Sequence, residues 1–139
     1  MEPLLAADGP ILAACVTLAL LILVQFLIVD VSQIKARHVP GTPVEGGHER
    51  FLFRAVRAHA NTNESLGLYL LLVFCALMLS ADAFWTAAAT WTFTAARAAH
   101  MICYYADWRI ARSLAFGTGL VALIALLVLC VLALLRVTG

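Results

Sequence analysis

Polar residues interrupt this chain at a few places only, and the intervals between them predict its elements. From Ile11 to Val29 a nearly unbroken apolar run is long enough, as a helix, to cross a hydrocarbon core of about 30 Å, and Leu114 to Leu135 is a second such run. Leu66 to Leu79 is short by itself. A helical pattern without proline runs back from it to about Glu49, however, which predicts one helix whose first half is polar. Ala83 to Ala106 is interrupted by Arg97 and His100 and is rich in alanine, a composition suited to close helix contact in lipid. The predicted spans are residues 11–30, 49–80, 83–106 and 112–136 of a single four-helix membrane domain, 1–139. Between the first two, "HVPGTPVEGGHE" carries prolines and glycines that stop a helix and make a loop.

Composition agrees with an all-α integral membrane protein. Hydrophobic residues make up 64% and charged residues 12% of the chain, well beyond the apolar share of soluble domains. A formal charge of +1 gives no reason to expect nucleic acid. The cysteines, Cys15, Cys75, Cys103 and Cys130, stand singly in apolar stretches without CxxC or metal spacing, so packed thiols are expected, with no disulfide and no metal site. Glu2 and Asp8 precede the first run where a signal peptide would be basic, and no convincing A-x-A cleavage site follows it, so it reads as a retained span.

Charge placement says more than net charge. Lys35, Arg37, Arg50, Arg54, Arg57, Arg97, Arg109 and Arg112 all fall on one side of the predicted bundle, whereas Arg136, with Glu2, Asp8 and Asp82, falls on the other. The positive-inside rule then puts both termini away from the cytoplasm.

The polar half of the second span has a geometry. At about 100° per residue, Arg50, Arg54, Arg57, Asn61 and Glu64 share an arc of roughly 80°, a polar stripe on one helix face. On the third span Arg97, His100 and Tyr104, spaced by three and four, share a face near the same side. Charged groups at membrane depth are costly and normally face a bundle interior, a partner or a watery cavity. A plain structural account is available too: arginines at the phospholipid interface, Glu64 paired with Arg57 or Arg97, His100 as a packing residue, Tyr104 and Trp108 in an aromatic belt. If the stripe binds a ligand, its arginine forks suit carboxylates, Asn61 offers both amide functions, and Glu64 suits an ammonium group. A zwitterion with an extra carboxylate, such as glutathione, has those charges.

Two of these patterns carry a resemblance. "RAHANTNE", Arg57 to Glu64, resembles the second-helix pattern R-A-x-x-N-x-x-E of the MAPEG family, the membrane-associated proteins of eicosanoid and glutathione metabolism. "RAAHMICY", Arg97 to Tyr104, is similar to the R-x-x-H-x-x-x-Y of its microsomal prostaglandin E synthase branch, and the basic pair Arg109 and Arg112 precedes the fourth span as in that family. The chain looks like a bacterial-like member near the prostaglandin synthase and microsomal glutathione transferase branch. Ser65 and His100 stand where leukotriene C synthase-like members have tyrosines.

What the resemblance implies is a homotrimer with glutathione, as cosubstrate, lying between neighbouring chains and open to the cytoplasmic side. Arg57, Asn61 and Glu64 would hold the peptide, joined by Arg54, His100 and Tyr104, with Arg37 reaching a carboxylate from the adjacent chain. An arginine at the start of the fourth helix stabilises the thiolate in such enzymes. Arg112 is the candidate here, with Arg109 the alternative and Tyr104 a further catalytic group, because Arg112 lies one residue short of that branch's register, which Ser113 occupies. The implied activity is attack of the thiolate on a lipophilic electrophile arriving from the membrane lipid, or reduction of a lipid hydroperoxide. The alternative is a non-catalytic tetraspan that binds anionic lipid or a partner through the same basic stripe.

Overall fold

A computed structural model describes residues 2–39 and 41–139, with side chains described from residue 8 onward. Pro40 of the expected loop and the Glu2 side chain lie outside the described residues. Four helices follow in order, α1 (Glu2–Lys35), α2 (Phe51–Met78), α3 (Ala83–Tyr105) and α4 (Arg109–Thr138).

Three of them, α1, α2 and α4, are long and apolar enough to cross a membrane. At 1.5 Å per residue the 23 residues of α3 are also long enough, but Thr86, Thr90, Thr92, Thr94, Arg97 and His100 lower its hydropathy. Position explains how it tolerates them. α3 packs against each of the other helices, while among the described residues α1 and α4 do not approach one another. Thr90 and Thr94 donate to the Ala87 and Thr90 carbonyls of their own helix at 2.9 and 3.0 Å, so their hydroxyls stay satisfied inside the bundle. The alanines expected at the α3 contacts divide: Ala89 and Ala96 are buried beside Thr86, Thr90, Phe93, Thr94, Arg97, His100 and Tyr104, whereas Ala95 and Ala99 face outward.

The core joins Ile11 and Leu18 of α1, Tyr69, Leu72 and Val73 of α2, Phe93 of α3 and Leu123 and Leu126 of α4. Tyr69 and Phe93 stack with ring centroids 4.6 Å apart. Outward faces of α1 and α4 carry Val16, Leu20, Leu27, Val121, Ile124 and Leu127, exposed apolar residues whose natural solvent is lipid.

Each of the first three helices ends the same way. The residues just past them, Arg37, Ser80 and Asp107, have φ of 50°, 49° and 57°, the left-handed turn that usually falls to glycine. The next amides reach back: His38 to the Gln33 carbonyl at 3.0 Å, Ala81 to Ala76 at 2.9 Å and Trp108 to Cys103 at 2.8 Å. These tight turns reverse the chain. The α1–α2 connection and the α3–α4 turn consequently meet at one end of the bundle, where Arg54 Nη2 donates to the Tyr105 carbonyl at 3.4 Å.

Helix bounds differ from the sequence expectation, most of all at the start of the first helix, where α1 begins at Glu2 rather than at residue 11. α1 continues five residues past 30, to Lys35, α2 starts at Phe51 with Arg50 as its cap, and α4 starts at Arg109 rather than 112. Arg109 and Arg112 thus sit in the first turn of α4, at the positive end of the helix dipole, where a cation costs about 0.3–1 kcal/mol.

Candidate functional site

Two polar layers occupy the basic end of the bundle. The deeper one is built on Arg97, eight residues before the end of α3 and therefore about 12 Å below it. Its side chain is 2% exposed. Nη1 donates to Asn61 Oδ1 at 2.8 Å and Nη2 to the Phe116 carbonyl at 3.5 Å, with the guanidinium carbon 5.3 and 5.5 Å from the Phe93 and Phe116 ring centres. Nε has no partner. Among the described residues no carboxylate pairs with it, since the single ion pair there joins Arg109 to Asp107 at 3.8 Å. The pairing of Glu64 with Arg57 or Arg97, weighed from the sequence, is therefore not found. Gly119 makes the room: a Cβ there would lie 2.5 Å from Arg97 Nη2.

A cavity of about 250 Å³ opens beside this layer, lined by Asn61, Glu64, Ser65 and Leu68 of α2, Arg97 of α3, and Phe116, Leu120 and Leu123 of α4. Arginine can only donate, so Asn61 must give it the carbonyl oxygen and keeps its NH₂ group for something else. The cavity thus offers an amide donor, the Glu64 carboxylate and a guanidinium against an apolar wall. Those groups match an ammonium and a carboxylate on one ligand.

The second layer lies nearer the end. Tyr104 is buried, with the Arg112 guanidinium 4.4 Å from its ring centre and His100 edge-on to it at 5.0 Å. His48, from the α1–α2 connection, stacks on the same ring at 6.0 Å and holds Nδ1 3.4 Å from Arg112 Nη1. Arg54 donates to the carbonyls of His48 and Tyr105, tying the connection to the end of α3. His100 also faces Phe116, at 6.3 Å, and so links the two layers.

The structure accordingly divides the sequence-predicted residues. It brings Asn61 and Glu64 to one cavity and His100, Tyr104 and Arg112 to one cluster. Arg54 reaches the same cluster, but two of its nitrogens serve backbone carbonyls. Arg57 faces outward from α2, and Arg37 lies in the turn after α1, lining a different hollow with His38 and Arg50. Arg109 points away, with its side chain 70% exposed. His59, on another face of α2, is bonded to Asn63 at 2.9 Å and lies 6.1 Å from Phe26 of α1. Sequence reasoning left two residues out of the site. Arg97 had its signal in the spacing to His100 and Tyr104; His48, a loop residue, had none.

A model of the MAPEG family matches residues 11–132, nearly the whole chain and both layers. The chain belongs to the MAPEG family. Among curated proteins, none is similar enough to count as a relative. Membership accords with the apolar helices of an integral membrane protein and with a family that includes glutathione transferases and related enzymes. For a MAPEG chain, an acidic and amide-bearing cavity next to an arginine cluster is the place to look for its chemistry.

Proposed function

We propose that this MAPEG chain is a glutathione-dependent membrane enzyme, with α3 as its fourth span, three chains per assembly and the basic end in the cytoplasm. The observation that supports this best is the cavity in which Asn61, Glu64 and the carboxylate-free Arg97 converge. Glu64 holds the ammonium group of glutathione, and Asn61 holds a peptide or carboxylate oxygen. Arg57 and Arg37, which face outward on the single chain, act across the boundary with a neighbouring chain. His100, in ring contact with both Phe116 of the cavity wall and Tyr104, stands between the cavity and Arg112. By its R-x-x-H-x-x-x-Y pattern the chain belongs near the prostaglandin synthase and microsomal glutathione transferase branch.

Arg112 supplies the chemistry. A free thiol with a pKa of about 8.5 is mostly protonated at neutral pH, and a guanidinium beside it favours the thiolate. Lowering that value by two units takes about 2.7 kcal/mol, within reach of a charge-assisted contact of about 1.5–3 kcal/mol. The thiolate then forms a carbon–sulfur bond to a lipophilic electrophile as that carbon's bond to its leaving group breaks, the electron pair departing with the leaving group. With a lipid hydroperoxide, two glutathione thiols supply two electrons and leave as the disulfide, giving an alcohol and water.

Calorimetric titration of the purified protein with glutathione tests the binding step. Alanine at Arg57, Asn61 or Glu64 is expected to weaken binding by about 1–3 kcal/mol each. Unchanged affinity in all three overturns the assignment. Binding of anionic lipid without glutathione would favour a non-catalytic tetraspan instead, and a conjugation and hydroperoxide screen then separates the two chemistries.

A further inference from the structure

The α1–α2 connection is tied down on both sides of His48. Gly46 turns the chain at φ 101°, a conformation side chains rarely adopt, and a Cβ there would meet Arg50 Cδ at 2.5 Å. Glu49 Oε1 accepts from the Gly47 amide at 2.7 Å, and this bond, with that to its own amide, holds the Glu49 carboxyl below the ordinary carboxylate range. Arg50 Nη1 donates to the Glu45 carbonyl at 2.9 Å, and Arg54 to that of His48. The imidazole itself packs edge-on to Phe53 at 5.3 Å and face-on to Tyr104.

The remaining contact carries the inference. Arg112 Nη1 lies 3.4 Å from His48 Nδ1, and an arginine has only donors, so Nδ1 is the acceptor and the ring proton sits on Nε2. An imidazolium could not accept this bond and would set a second cation beside Arg112. The groups facing His48 are Arg112 from α4, Tyr104 from α3, Arg54 from α2, through the backbone carbonyl, and Glu49 within the connection.

We infer that His48 is a positioning residue: it accepts from Arg112 and fixes that guanidinium on the face of Tyr104, in the orientation that stabilises the glutathione thiolate. The inference rests on the proposed role of Arg112. A guanidinium with a long flexible stem stabilises a forming anion only if it is already in place, because orientation not fixed in advance must be supplied during the reaction. Tyr104 restricts Arg112 from one direction, and the His48 acceptor sets its rotation about that contact.

The test follows the ultraviolet absorbance of the bound glutathione thiolate as a function of pH. His48→Phe keeps the ring stack and removes the acceptor; His48→Asn places an amide oxygen close to where Nδ1 stood. Under the inference, His48→Phe binds glutathione as the parent does but shows roughly two- to tenfold less thiolate below the midpoint, the reach of one hydrogen bond, and His48→Asn recovers most of it. If His48→Phe does not fold, His48→Leu replaces it with the same expected result. A parent signal that Arg112→Ala abolishes and the acceptor-free variant leaves unmoved overturns the role of His48 alone. A parent protein that binds glutathione without any thiolate signal overturns the Arg112 reading, and this inference with it.

Discussion

The deep layer around Arg97 and the shallow layer around Arg112 both place a guanidinium against aromatic rings on the α3 stripe, yet they hold it by different means. Arg97 is buried, has one side-chain acceptor and depends on the space left by Gly119. Arg112 is half-buried and is held by a tyrosine face and a loop histidine. A buried cation without a carboxylate is a liability to the fold, whereas a cation at the end of the bundle keeps part of its hydration. The deep charge is therefore the one whose removal should separate stability from function, and the shallow charge the one whose placement matters most.

The largest effect expected is on the deep layer. Arg97→Met removes a desolvation cost of several kcal/mol and leaves Asn61 Oδ1 without its donor, at about 1–3 kcal/mol. The first term is larger, so the variant should melt at or above the parent temperature while losing glutathione affinity. A melting temperature and an affinity that fall together would make Arg97 a structural residue and erase the contrast. Gly119→Ala sharpens the same point, because the added carbon collides with Arg97 and should cost about 1–3 kcal/mol in the parent. In the Arg97→Met background that cost should largely vanish, a coupling that a double-mutant cycle of thermal unfolding measures directly.

The shallow layer is broken by removing Arg112. Arg112→Ala should retain most glutathione affinity and lose the thiolate absorbance at neutral pH, since ionisation of the thiol rather than capture of the peptide is removed. Arg109→Ala should keep that absorbance, because its side chain is largely exposed and paired with Asp107. Exchange of the two outcomes would move the chemistry to the outer face of α4.

The smallest effect is a control far from both layers. Ser80 holds a left-handed φ of 49° between α2 and α3 at the opposite end of the bundle. Ser80→Gly should stabilise the fold by about 0.5–1 kcal/mol, seen as a modest rise in melting temperature with unchanged glutathione binding.

Much of the fold was legible in sequence because lipid imposes a simple demand: an apolar run of sufficient length, with its polar groups collected at one end. Helix ends were less legible. Arg37, Ser80 and Asp107 occupy positions that glycine usually marks, so nothing in the residue types announced those turns. In sequence the stripe residues from Arg50 to Glu64 share one face, but an arc of roughly 80° spans both the seam of a helix and its exposed margin. Packing against α3 and α4 drew Arg54 and Asn61 inward and left Arg57 outside.

The sequence by itself determined the membrane class, the number of helices, the basic end and the residue types of the candidate site, because hydropathy and helical spacing are properties of one segment at a time. Tertiary structure decided which arginine met which partner. Arg97 joined Asn61 because α4 has a glycine at position 119, and Arg112 rather than Arg109 turned inward because helix α4 begins three residues before it and carries it round toward Tyr104. His48 entered the site through a loop whose course is set by glycine turns and backbone bonds. Such choices depend on contacts between segments distant in sequence, and no period within a single helix encodes them.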